Sequence, residues 1–250
     1  KSFHPGIAAR NGLMSALLAE ARFDSSERAI EAPRGFAQVM SDKQDWGEII
    51  DGLGTRWESA TNSYKPFACG IVIHPAIDGC IQLRDELGED KVAQIASVKL
   101  RTHPLVLELT GRKSPKTELE GKFSVYHCAS VALLRGDGAP TAFTDEIVND
   151  PQVVALRGLI EAETNPDCHE ASVDIEVTLR DGSTHTKHVE RAIGSAEVPL
   201  TDAQLNTKFT DQAELVVGTT VTQRLRDIAW SLESLSDVGE VARASVRGKG

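Results

Sequence analysis

Val173-Asp174-Ile175-Glu176-Val177-Thr178-Leu179, followed by Arg180-Asp181-Gly182, is the stretch on which the fold turns. Its apolar residues alternate strictly with polar ones, the period of a strand with one buried face. Asp-Gly at its end is a strong hairpin signal, because a two-residue turn needs residues that tolerate positive φ. Working back, Ile95 to Arg101 reads as another strand, with Ala96, Val98 and Leu100 on one face. Helices are expected over Pro75 to Leu87 and Glu118 to Leu134. A third starts at Asp150-Pro151, an N-cap and first-turn pair, and runs through Val153, Val154, Leu156, Leu159 and Ile160. The middle of the chain is therefore α+β.

The two ends read differently. Ile7, Met14, Leu17, Leu18 and Ala21 form a helical apolar stripe behind His4-Pro5-Gly6, interleaved with small residues, and Asp42 to Leu53 is expected as a second helix. Beyond Pro199, Leu225, Ile228, Leu232 and Leu235 recur at helical spacing. The expected organisation is helical segments of a large domain over residues 1–63, an α+β domain over 64–198, and helices returning to the large domain over 199–250.

Composition narrows the function classes. With 40% hydrophobic and 26% charged residues the chain is an ordinary globular protein. A formal charge of -10, with no basic stripe interleaved with aromatics, argues against a nucleic-acid partner. No apolar run approaches the roughly 20 residues of a membrane helix, so the expected location is the cytoplasm. Cys69, Cys80, Cys128 and Cys168 are widely spaced with no Cys-x-x-Cys pair, which reads as reduced thiols rather than a disulfide framework or zinc site. The chain opens at Lys1, directly into a helix signal, and is expected to be a piece of something longer.

Basic and imidazole side chains concentrate in three places: Lys1 with His4, Lys65 with His74, and Lys122 with His127. Removing a proton next to a carboxylate builds up negative charge, so that chemistry needs cations or donors aimed at it, plus a base. His4 and His74 each precede a proline at a helix start, where capping is the plain reading and carboxylate binding at the helix N-terminus the sharper one. Other templates fail. Gly111-Arg112-Lys113-Ser114 lacks the first glycine and the lysine position of a phosphate-binding loop, and His185 and His188 fall on opposite faces of the second hairpin strand. Ser124 or Cys128 beside His127 suggests core packing more than a nucleophile with its base.

Longer matches then converge. Lys1-Ser2-Phe3-His4-Pro5-Gly6-Ile7-Ala8-Ala9, Tyr64-Lys65-Pro66-Phe67 with His74-Pro75-Ala76-Ile77-Asp78, Glu120-Gly121-Lys122-Phe123-Ser124-Val125-Tyr126-His127, and Val198-Pro199-Leu200 leading to Lys208-Phe209 occur in one order. The chain thereby resembles the MmgE/PrpD family. That resemblance implies acid–base enzymes acting on small polycarboxylates without metal or other cofactor, such as 2-methylcitrate dehydratase, cis-aconitate decarboxylase and iminodisuccinate epimerase. It implies a homodimer of subunits with a large helical domain and an α+β lid, the active site lying between them and its other acid–base groups upstream of Lys1. Lys1, His4 and Lys65 match catalytic positions, and Lys1, Lys65, His74, His103 and His127 are the substrate-binding candidates. Val106-Leu107 stand where the decarboxylase's lid tyrosine aligns, which argues against itaconate formation and leaves a lyase that expels water as the expected function. An epimerase and a non-catalytic scaffold are the alternatives.

Overall fold

The computed structural model of the chain describes residues 3–246, so Lys1 lies outside the described residues. The chain divides after Ala60 into two units. In the first, helix α1 (Phe3–Glu20) buries none of its residues, and Leu13, Met14, Leu17 and Leu18 are all exposed. Its end is turned by Arg22 at φ 64, with Phe23 N–H donating to the Leu18 carbonyl. The helix expected over Asp42 to Leu53 shrinks to Gly47–Ile50. Gly47 N–H donates to Asp45 Oδ1 at its start, Asp51 closes it, and Gly52 and Gly54, both at positive φ, turn the chain beyond it.

The second unit begins with α2 (His74–Leu87), β1 (Ile95–Thr102) and α3 (Pro104–Thr110). It continues through α4 (Val125–Arg135), α5 (Pro151–Arg157), β2 (Ile160–Thr164) and the hairpin β3 (Val173–Leu179) and β4 (Thr184–Val189). Helices α6 (Asp202–Val217) and α7 (Thr219–Trp230) follow, packed on each other. The four strands form one mixed sheet in the order β2-β1-β3-β4, with β1 parallel to β2 and antiparallel to β3. The protein is therefore α+β. Val173, Ile175, Val177 and Leu179 all turn inward as the alternation requires.

Four expectations need correction. A bulge between Ile95 and Ser97 puts Ile95, not Ala96, on the buried face with Val98 and Leu100. The helix expected over Glu118 to Leu134 is broken into Glu118–Gly121 and α4, because Ser124 is extended (φ -128, ψ 105) to cap α4 from outside. Helix α5 stops at Arg157, and Ile160 becomes the first residue of β2, paired with Val98. Helix α7 stops at Trp230, where the Ser231 hydroxyl donates to the carbonyls of Asp227 and Ile228, so Leu225 and Ile228 are buried but Leu232 is not.

Helix α2 packs on α4 and on the inner face of the hairpin, at the centre of the core. Gly79 permits the approach: a Cβ there would sit 2.6 Å from Ile175 Cδ1 and 2.9 Å from Val189 Cγ2. Gly79→Leu is expected to lower stability by about 1–3 kcal/mol through overpacking, read as a fall in the urea midpoint. An unchanged midpoint would mean that α2 does not lie this close to the hairpin.

Candidate functional site

The segment that carries Lys65 has no regular secondary structure, yet its backbone is tied down at three points. Tyr64 N–H donates to the Gly194 carbonyl (2.8 Å), Ala68 N–H to that of Gly138 (2.9 Å) and Gly70 N–H to that of Lys122 (3.3 Å). Gly194 has φ +87, and a Cβ on it would fall 2.2 Å from the Tyr64 carbonyl oxygen, so the contact needs glycine on both counts. Phe67 is buried, and the Lys65 ammonium donates to the Cys69 carbonyl at 3.4 Å.

From Gly70 one 3-10 turn leads into α2, whose first residue is His74. Its imidazole is 2% exposed, sits edge-on to Phe67 at 5.3 Å, and leaves Nε2 without a hydrogen-bond partner. Four residues on, Asp78 accepts from Ile193 N–H (2.8 Å) and Gln82 (2.9 Å), joining α2 to the loop after β4. A cleft of about 340 Å³ opens here, lined by Tyr64, Ile71, His74, His169, Arg191 and Ser195 among others. Arg191 pairs with Glu190 (2.8 Å) and Glu197 (3.6 Å), and His169 Nδ1 accepts from Ala171 N–H, which leaves its Nε2 as the protonated nitrogen.

The remaining candidates lie elsewhere. His4 belongs to the first unit, exposed on α1. His103 is the N-cap of α3, its Nδ1 accepting from Leu105 N–H at 3.1 Å. His127 lies in the core at 0% exposure, with Nε2 3.0 Å from the Ala142 carbonyl and its ring edge-on to Phe143. Burial above all, and then the charge of Arg157, push its pKa down to about 4, against the Ala142 contact, which raises it. The rest of its motif is equally architectural. Glu120 holds Arg112, Lys122 pairs with Glu118, Gly121 makes room for Val148 and His127, and Ser124 caps α4 while donating to the Arg112 carbonyl.

His185 and His188 do fall on opposite faces of β4, and His188 is exposed between Asp174 and Glu190. The sequence reading missed Arg191 and His169, which come from loops with no periodic signal.

The second unit thus combines a mixed sheet packed against α2 with a cleft lined by Tyr64, His74, His169 and Arg191. Comparison with known proteins adds the family. The chain belongs to the MmgE/PrpD family: residues 67–234 match the MmgE/PrpD C-terminal domain and residues 1–49 the MmgE/PrpD N-terminal domain. It is 25% identical over 248 residues to the cis-aconitate decarboxylase of Homo sapiens, covering 95% of this chain and 51% of that protein. The corresponding protein of Aspergillus terreus is 23% identical over 260 residues, covering 95% and 53%. The mitochondrial 2-methylcitrate dehydratase of Yarrowia lipolytica is 28% identical over 99 residues, 36% of this chain and 19% of that protein. The chain thus spans about half the length of the curated relatives it matches. The relatives it matches are named as decarboxylases and a dehydratase. Among the described residues, no helix is long and apolar enough to cross a membrane.

Proposed function

We propose that this chain supplies the lid side of the active site of a lyase acting on small polycarboxylates, with the Lys65 ammonium binding a substrate carboxylate. The observation that carries the reading is the three-point backbone anchorage of the Lys65 segment, whose Tyr64 lines a cleft together with His169 and Arg191. A fixed cation of this kind favours proton removal from the adjacent carbon, because it lowers the energy of the enolate-like charge that develops there. In this reading Lys1 and His4 serve the same site from the helical side, as catalytic groups, and His74 shapes the cleft wall. Residues 1–63 and 199–250 belong to the helical domain and 64–198 to the lid, in a cytoplasmic homodimer.

The reaction we propose is loss of water from a hydroxy-polycarboxylate of the 2-methylcitrate type. Val106-Leu107, in the stretch that matches the decarboxylase's lid tyrosine, offer no hydroxyl, and Val106 is 1% exposed in α3. The test is to assay the chain alone, and together with the N-terminal half of a relative, on 2-methylcitrate, cis-aconitate and iminodisuccinate. The expected result is no turnover by the chain alone and dehydration by the pair. Carbon dioxide release would assign a decarboxylase, and solvent-proton exchange without loss of water an epimerase. Turnover by the chain alone would overturn the division of the site between two parts.

A further inference from the structure

The cleft that Tyr64 lines holds more hydrogen-bond donors than the fold uses. Sheet register brings two of them together: Val173 pairs with Val189 across the β3–β4 hairpin, so His169, shortly before that pair, and Arg191, just after it, leave the sheet at the same edge. Both line the cleft. His169 spends Nδ1 as the acceptor for Ala171 N–H at 3.0 Å, so its proton sits on Nε2, which meets no acceptor among the described residues. The Ser195 hydroxyl accepts from Val198 N–H and keeps its own proton to give.

Arg191 is less committed than its two carboxylate neighbours suggest. Its Nη1 donates to the Glu190 carboxylate at 2.8 Å and to the Glu190 carbonyl at 2.6 Å, while Nε lies 3.6 Å from Glu197, too far for a good hydrogen bond. Nη2 has no partner among the described residues. Glu190 is itself shared: its other oxygen meets His188 Nε2 at 3.2 Å, and His188 Nδ1 meets Asp174 at 2.7 Å. An imidazole that meets carboxylates through both nitrogens carries a proton on each and is positively charged. The charge of Glu190 is thus divided between His188 and Arg191, which leaves the guanidinium able to take another anion.

We infer that this cleft is a binding site for an aliphatic carboxylate group, with Arg191 and His169 as its donors. One cation and one neutral imidazole match a single negative charge. Glu197, the one acid among the lining residues, repels a doubly charged phosphate more strongly than a carboxylate. Ile71, Ala192 and Ile193 supply an apolar wall for the carbon chain, in a space of about 340 Å³. The inference rests on the lyase reading only for the molecule that carries the group. There the site takes a second carboxylate of the polycarboxylate, apart from the one assigned to Lys65, which is not among the lining residues.

The test titrates the 250-residue chain with propionate, and separately with inorganic phosphate, at pH 7 and constant ionic strength, following backbone and imidazole signals by NMR. Propionate is expected to shift the His169, Ala171 and Gly194 signals saturably, and to bind more tightly than phosphate. Arg191→Gln should weaken propionate about tenfold or more, the scale of a lost charge-assisted hydrogen bond. Arg191→Lys should recover part of that, since it restores the charge without the planar fork. Glu197→Gln should tighten binding, which a merely structural role for these side chains would not produce. Should Arg191→Gln fail to fold, the wild type and Glu197→Gln decide. No saturable shift at the cleft, tighter binding of phosphate, or unchanged affinity in a folded Arg191→Gln protein would overturn the inference. The titration needs no turnover, so the two readings fail separately. Cleft binding by a chain that dehydrates nothing alongside a relative's N-terminal half would uphold this inference and remove the lyase reading, whereas dehydration without cleft binding would do the reverse.

Discussion

Lowering the pH from 7 to 4 is expected to cost the folded protein about 3 kcal/mol through His127 alone. Its pKa is about 4 in the fold against 6.5 for a free histidine, and each unit of difference is worth about 1.4 kcal/mol. The unfolded chain takes up the proton first on acidification. Stability is therefore full above pH 6.5, falls as the pH drops through the interval, and levels off below 4. A carboxylate at its ordinary pKa of about 4 titrates below the upper half of this window. His188, whose pKa is raised by Asp174 and then Glu190, works in the opposite sense, but it is exposed and screened by solvent. Urea unfolding at pH 7.0, 5.5 and 4.5 would show the slope, and His127→Gln should flatten it while lowering stability at pH 7. A wild-type curve that is level between pH 6.5 and 4.5 would mean that His127 is not buried neutral as described.

Lys65→Ala is expected to reduce kcat/KM by one to two orders of magnitude in an active assembly containing this chain. The figure follows from losing one charge-assisted contact to a carboxylate, about 1.5–3 kcal/mol. Folding should be spared, because the contact the ammonium makes with the Cys69 carbonyl is long, at 3.4 Å. Lys65→Arg should recover part of the loss, since it restores charge but not shape. Normal turnover by a folded Lys65→Ala protein would remove Lys65 from the site.

Where the sequence carried a local physical rule, the fold followed it. The Val173 to Leu179 alternation and the Asp181-Gly182 turn gave the hairpin with its buried face, and Asp150-Pro151 marked the start of α5 to the residue. Where tertiary pairing outvoted the local pattern, the reading failed. Ile160 looks like one more apolar residue of a helix, but the open edge of β1 recruits it as a strand. Residues 121–124 look helical until Gly121 must fit under Val148 and Ser124 must cap α4. The site was legible as motif positions rather than as geometry. Lys65 and His74 were visible because they recur in a family pattern, whereas Arg191 and His169 come together at the cleft only once distant segments meet. The His127 motif shows the converse: its residues serve a helix start and a core, which spacing alone does not distinguish from a binding site.

The sheet order also sets a sequence of events in time. Strands β3 and β4 meet across a turn of a few residues and can pair within microseconds of collapse, as isolated hairpins do. Strand β1 must instead find β2 across everything from His103 to Leu159, with α3, α4, α5 and shorter helical segments on the way. Closing that distance loses chain entropy before any contact repays it. Its antiparallel partner β3 lies farther still along the chain, so both seams of β1 are late events, and until they form β1 offers unpaired backbone to any passing strand. The slowest-made seams of the sheet are also those at which a folding chain is most exposed to mispairing.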